Sequence, residues 1–138
     1  METAANAKFG QVIAAGDSYR GKQGLAYTPG VSTESVGSQR LWLGSVVIPP
    51  SGRTKAHLHE NHESAFYFIR GEEVEVWTGE WLEKKAIAHP GDYLYIPAGV
   101  AHVAVNRTAI PAELVGARTD PSEQESVVLR PELDSKVA

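Results

Sequence analysis

Apolar residues in this chain come in short clusters, and where they alternate with polar ones the period is two. Residues 73–77 (Glu-Val-Glu-Val-Trp) show the alternation most cleanly and predict a half-buried strand. Further strands are predicted over 11–15, 25–28, 40–48, 64–70, 85–88, 93–96, 102–106, 112–118 and 125–129. Within 64–70 the run Phe66, Tyr67, Phe68, Ile69 has no polar interruption, so that strand is expected to be covered on both faces. Gly and Pro punctuate the series at Pro49-Pro50-Ser51-Gly52, Gly71, His89-Pro90-Gly91 and Pro97-Ala98-Gly99. No stretch has the 3.6-residue period of an amphipathic helix. The expectation is an all-β sandwich or barrel in a single domain. Residues 1–38 read as an N-terminal arm with loops, 39–130 as the barrel and 131–138 as a frayed tail.

Composition narrows the function. The 138 residues can bury a real core. Thirteen basic and 17 acidic residues give a net charge of −4, which argues against a general nucleic-acid binder. The charges are scattered rather than blocked, so an anionic membrane surface is not an expected partner either. The chain has no cysteine, which excludes disulfides, zinc–thiolate sites and thiol catalysis. No apolar run approaches the ~20 residues of a membrane span. The first eight residues lack the basic start and apolar core of a secretory signal, and a soluble cytoplasmic protein is expected.

One stretch carries candidate chemistry: His57-Leu58-His59-Glu60-Asn61-His62-Glu63. On an extended backbone the side chains of His57 and His59 share a face, roughly 7 Å apart, and can lean toward one cation. Glu63 follows after three residues, enough for a turn to bring its carboxylate to the same ion. A third imidazole must come from elsewhere, and His102 is the candidate. An isolated His-x-His pair is most often solvated or structural, so the weight comes from the rest of the chain.

Gly91, Pro97, Gly99, His102 and Asn106 match the pattern G-x5-P-x-G-x2-H-x3-N at every fixed position. This resembles the second motif of the cupin family. The earlier stretch resembles the first cupin motif, G-x5-H-x-H-x3–4-E-x6-G, with its His-x-His and Glu63 intact and its glycines (Gly52 and Gly71) each displaced by one. The resemblance spans about residues 40–118. It implies an all-β double-stranded β-helix, or jelly-roll barrel, in which His57, His59, Glu63 and His102 converge on one divalent transition metal. Nitrogen and oxygen donors without sulfur suit Fe, Mn, Ni, Co or Zn. Four protein ligands on an octahedral ion leave two positions open, as catalytic and ligand-binding sites require.

The expected function is therefore a metal-dependent cupin acting on a small organic molecule. Iron and dioxygenase chemistry are favoured, with Glu63 as a ligand or a base. The alternative is a non-catalytic cupin module that holds a small ligand or metal. The expected partner is a second copy, in a homodimer. Other residues are weighed more lightly. His62 reads as a solvated loop histidine before an alternative ligand or an acid–base group, and His89 as a turn residue. Tyr67, Tyr93 and Tyr95 read as core before cavity. Lys55 shares the i, i+2 register of the histidines and is a candidate for an anionic substrate, with Arg118 and Arg40 behind it. Trp42, Trp77 and Trp81 read as core or interface. Asn106 is expected to tie a loop, and Gly99 to take a positive φ.

Overall fold

The structure, a computed structural model, describes residues 9–138. Among these residues eleven strands form two antiparallel sheets. They are β1 (Tyr19–Arg20), β2 (Ala26–Val31), β3 (Trp42–Ile48), β4 (His57–Leu58), β5 (Ser64–Arg70), β6 (Val74–Thr78), β7 (Lys84–Ala88), β8 (Tyr93–Ile96), β9 (His102–Val105), β10 (Ala112–Arg118) and β11 (Val128–Leu129). The six-stranded sheet runs β1-β2-β3-β10-β5-β8 and the five-stranded sheet β11-β4-β9-β6-β7. One helical turn, α1 (Thr33–Val36), is capped by Ser32 and ends at Gly37.

The period-two pattern decides which side chains meet between the sheets. On β10, Ala112, Leu114, Gly116 and Arg118 are buried and the residues between them half-buried. Trp42, Val46, Ile48, Phe68 and Leu114 of the larger sheet pack with Val74, Val76 and Ala88 of the smaller. A second cluster closes one end, where Leu133 and Val137 pack on Ala56, Leu82, Ala101, Val103 and Val105.

Several expectations are corrected. The strand β5 is covered on one face only: Phe68 is buried, whereas Tyr67 and Ile69 are exposed. An apolar run therefore marked a sheet with an apolar outer surface, and not a central strand. Residues 11–15 carry no strand. Within 1–38 the strand expected at 25–28 is present as β2, which pairs with β3 in the larger sheet, and β1 pairs with β2. Residues 131–138 are not frayed at their core, since Pro131–Lys136 forms a 3-10 helix that buries Leu133. The turn residues behave as expected. Gly99 has φ 78°, where a β-carbon would be penalised.

Asn106 is fully buried. Its Nδ2 donates to the carbonyls of Ile48 and Ile110, each at 2.9 Å. Its Oδ1 accepts from the Thr108 backbone N–H at 2.9 Å and the Thr108 hydroxyl at 2.7 Å.

Candidate metal centre

Strand pairing brings the histidines together. His57 on β4 lies directly opposite His102 on β9, and facing residues of an antiparallel pair have Cβ atoms about 5 Å apart. Their ring centroids are 4.2 Å apart. Two residues past His57, His59 returns to the same face, 5.0 Å from His57 and 5.1 Å from His102 between centroids. All three are buried, and each offers a ring nitrogen within 4.8 Å of those of the other two.

Tautomers follow from the partners. The His57 Nδ1 lies 2.7 Å from the Lys55 carbonyl and the His102 Nδ1 lies 3.0 Å from the Val100 carbonyl. A carbonyl only accepts, so each Nδ1 carries the proton and each Nε2 keeps its lone pair. Metal-bound histidines are oriented in this way, with the second ring nitrogen donating to an oxygen. The His59 Nδ1 is buried without a hydrogen bond, 3.3 Å from the Glu125 carboxylate.

Charge agrees with this arrangement. Burial holds the His59 imidazole down at about 4, against the opposing pull of Glu125. Burial lowers His102 well below the ordinary imidazole range, helped by neighbouring His57, and also lowers His57 against the Lys55 carbonyl. Three neutral imidazoles facing one point, with no sulfur nearby, are a donor set that fits a divalent transition ion.

Glu63, expected as the carboxylate ligand, is not brought to this cluster. Its side chain is exposed and accepts a hydrogen bond from the Tyr95 hydroxyl at 2.8 Å. The cause is strand phase. The Glu63 backbone pairs with Thr119, continuing the β5–β10 ladder one residue past Ser64 and Arg118. Ser64 and Arg118 face inward, so Glu63 faces out.

The buried carboxylate near the histidines is Glu125, just before β11. It accepts from the His62 Nε2 at 2.9 Å and the Gln23 amide at 2.7 Å, and it lies 3.4 Å from the Arg118 guanidinium. Burial pushes this carboxyl up, but the His62 hydrogen bond and the Arg118 charge outweigh it and hold it down at about 2. His59, His62 and Glu125 form a second group of three donors around the shared His59. His62 is therefore a buried, bonded residue and not a solvated one. No local pattern marks Glu125. It arrives because β11 pairs with β4, setting Leu129 opposite His57.

Beside the histidines lies a cavity of about 60 Å3. A water needs about 10–15 Å3 on that measure, so the space suits a molecule of a few heavy atoms. Its walls are largely aliphatic and aromatic, and Trp42, Gln23 and Arg118 also line it. Tyr67 does not line it, and neither do Tyr93 and Tyr95, which stand on the outer face of the larger sheet. Lys55 is exposed, because Ala56 and His57 are both buried and the alternation breaks between them. Arg40 and His89 are exposed, and Trp77 and Trp81 are respectively half-buried and exposed.

Comparison with known proteins fits this architecture. No curated protein matches the sequence. Among solved structures, TT1209 from Thermus thermophilus is 27% identical, with a TM-score of 0.56 over 70% of this chain and 83% of that one. A cupin 2 conserved barrel domain protein from Salinispora arenicola is 19% identical, with a TM-score of 0.65 over 81% of this chain and 91% of that one. Oxalate decarboxylase from Bacillus subtilis, a protein with Mn(II) centres, is 16% identical, with a TM-score of 0.65 over 78% of this chain. This chain spans only 28% of that enzyme. The family model described as Cupin domain matches residues 44–117, more than half of the sequence. The chain belongs to the cupin family.

Proposed function

We propose that this protein is a metal-dependent enzyme acting on a small organic molecule held in the cavity beside His57, His59 and His102. The observation that carries the reading is the set of three buried, neutral imidazoles, two of them with Nδ1 tied to a backbone carbonyl and Nε2 left free. These three residues would hold the ion. Bound there, a divalent ion supplies Lewis acidity toward a substrate oxygen and, in the case of iron, a place for dioxygen. Three imidazoles would hold any of Fe, Mn, Ni, Co or Zn and would leave room beside the ion for a substrate, and iron with dioxygenase chemistry is the form of the reading we propose.

The chain's own groups do the rest. The aliphatic walls exclude water and hold the substrate body. Glu125 lies beside the His59 Nδ1 and favours the tautomer with a free Nε2. One observation favours the alternative of a non-catalytic ligand-binding module. Glu125 is already held by His62, Gln23 and Arg118, so it is not a free base. An enzyme loses turnover with chelator and regains it with one preferred metal, whereas a binding module keeps ligand affinity and turns nothing over.

The partner we propose is a second copy of the chain, with no nucleic acid or membrane involved, and the compartment we propose is the cytoplasm. Among the described residues no helix is long and apolar enough to cross a membrane.

The test is metal content by mass spectrometry on protein purified without a nickel column. Wild type is expected to carry about one equivalent. His59→Ala is expected to lose it, and Glu63→Ala to retain it. Full occupancy in His59→Ala, or none in wild type after reconstitution, overturns the reading.

A further inference from the structure

The phase of β5 that turns Glu63 outward turns Ser64 inward. Ser64 is 4% exposed and lines the cavity beside the histidines. Strand register places it between Arg118 of β10 and Ile96 of β8, and Arg118 in turn lies opposite Trp42 of β3. Trp42, Arg118, Ser64 and Ile96 are all buried and form one row on the inner face of the larger sheet. The histidines stand on the smaller sheet, across the cavity from that row.

The polar groups of the cavity wall differ in what they have left to give. The Tyr27 hydroxyl accepts from the Gln23 amide, and the Thr54 hydroxyl accepts from the Ala104 backbone N–H at 3.1 Å. Arg118 donates through Nε to the Asp120 carbonyl at 3.2 Å and through Nη2 to the Glu123 carbonyl at 2.8 Å. It also stacks on Trp42 and pairs with Glu125. The Trp42 indole nitrogen and the Gln23 Oε1 have no partner, but the atoms around them seal them from any ligand. Ser64 is the exception. Among the described residues its hydroxyl forms no hydrogen bond, yet it is not one of the sealed atoms. On an inward-facing side chain, that free surface opens into the cavity.

A serine hydroxyl donates to a carbonyl or accepts from another hydroxyl. A ligand that fills the space without a polar atom leaves this hydroxyl unpaired, whereas one with an oxygen there satisfies it. A site built to bond such an oxygen rejects the analogue that lacks it. We infer that Ser64 sets the substrate class of the cavity: a compact molecule whose body packs on Val46, Ile48 and Leu114 and whose carbonyl or hydroxyl oxygen bonds the Ser64 hydroxyl. The inference deepens the enzyme reading and rests on it for the location of the ligand, but the bond to Ser64 does not depend on the ion.

The probes are cyclopentanone and methylenecyclopentane, which share a shape and differ by one oxygen. A ketone only accepts, so the free Nε2 atoms of neutral histidines offer it nothing and its partner must be a donor. Binding is followed by NMR on 15N-labelled, chelated protein, in which no ion competes for the ketone oxygen. The backbone signals of Ser64 and Gly116, which line the cavity, report that the probe is inside. Wild type is expected to bind cyclopentanone about fivefold more tightly than methylenecyclopentane, the worth of one neutral hydrogen bond. In Ser64→Ala the preference is expected to fall to about twofold or less, with the ketone losing affinity and the alkene keeping it. Equal affinity for the two probes in wild type, Ser64 and Gly116 signals that do not respond to the ketone, or an undiminished preference in the variant overturns the inference. The wild-type comparison stands even where Ser64→Ala fails to fold. Ketone preference in a protein that takes up no metal leaves this inference in place and removes only the metal reading. Metal uptake without ketone preference removes this inference alone.

Discussion

Glu125 and His59 have opposite answers to the same burial. The carboxylate gains His62, Gln23 and Arg118 as partners and stays charged, whereas the imidazole, its Nδ1 without a hydrogen-bond partner, stays neutral. Both choices make the fold sensitive to acid. The folded His59 holds its pKa at about 4 against an ordinary 6.5, so between those values the unfolded chain binds more protons than the folded one. Stability of the metal-free protein is therefore complete above about pH 6.5 and declines as the pH falls toward 4, by on the order of 3 kcal/mol from this group. His57 and His102 are shifted in the same direction and add to the decline. Glu125, held at about 2 against 4.5, extends the loss below pH 4.5. Urea unfolding of chelated protein at pH 7.5, 6.0 and 4.5 checks this. A midpoint that is flat across the three values contradicts the placement of neutral, buried histidines.

At the scale of elements, the turns and the tie between them carry the site. Asn106 joins the end of β3, the end of β9 and the loop at 108–110 through one side chain. Asn106→Ala strips partners from buried backbone groups, and a loss of about 3 kcal/mol is expected in thermal or urea unfolding. A loss below about 1 kcal/mol, the worth of a single ordinary hydrogen bond, would show that the loop holds itself. The same scale explains what the sequence made legible. His57 and His59 were readable because their relation is local and period two decides it. Asn106 and Gly99 were readable because a turn needs a particular residue at a particular place. Glu63 was misplaced because the bend at Glu60 and Asn61 resets the phase between β4 and β5, and spacing alone does not reveal where the alternation resumes. His62 and Glu125 were missed together. Each looks ordinary in its own segment, and only the long-range pairing of β11 with β4 brings one to the other.

At the scale of the molecule, the described residues leave an apolar stretch of the larger sheet exposed. The outer face of the larger sheet sets Leu43, Ala117, Ala65 and Tyr95 in one row and Ser45, Val115, Tyr67 and Tyr93 in the next. Tyr93 is 81% exposed and Tyr95 60%, values out of keeping with a core role and in keeping with a contact surface. The adjoining charges, Arg70 and Glu113, pair with each other at 2.6 Å, and the Glu63 carboxylate at the edge of the first row is held by the Tyr95 hydroxyl. A two-fold interface brings a patch against itself, so a patch dense in like charges repels its copy, whereas a mainly apolar one does not. The proposed homodimer should therefore form through this face, and not through the sheet that holds the histidines. Light scattering at micromolar concentration is expected to give twice the 14.9 kDa of one chain. Tyr67→Glu, which buries a charge at the centre of such an interface, should return the mass to that of a monomer while metal content stays at about one equivalent. A wild-type monomer removes the dimer. A Tyr67→Glu dimer moves the interface elsewhere, and loss of metal in that variant would tie the outer face to the centre through the sheet.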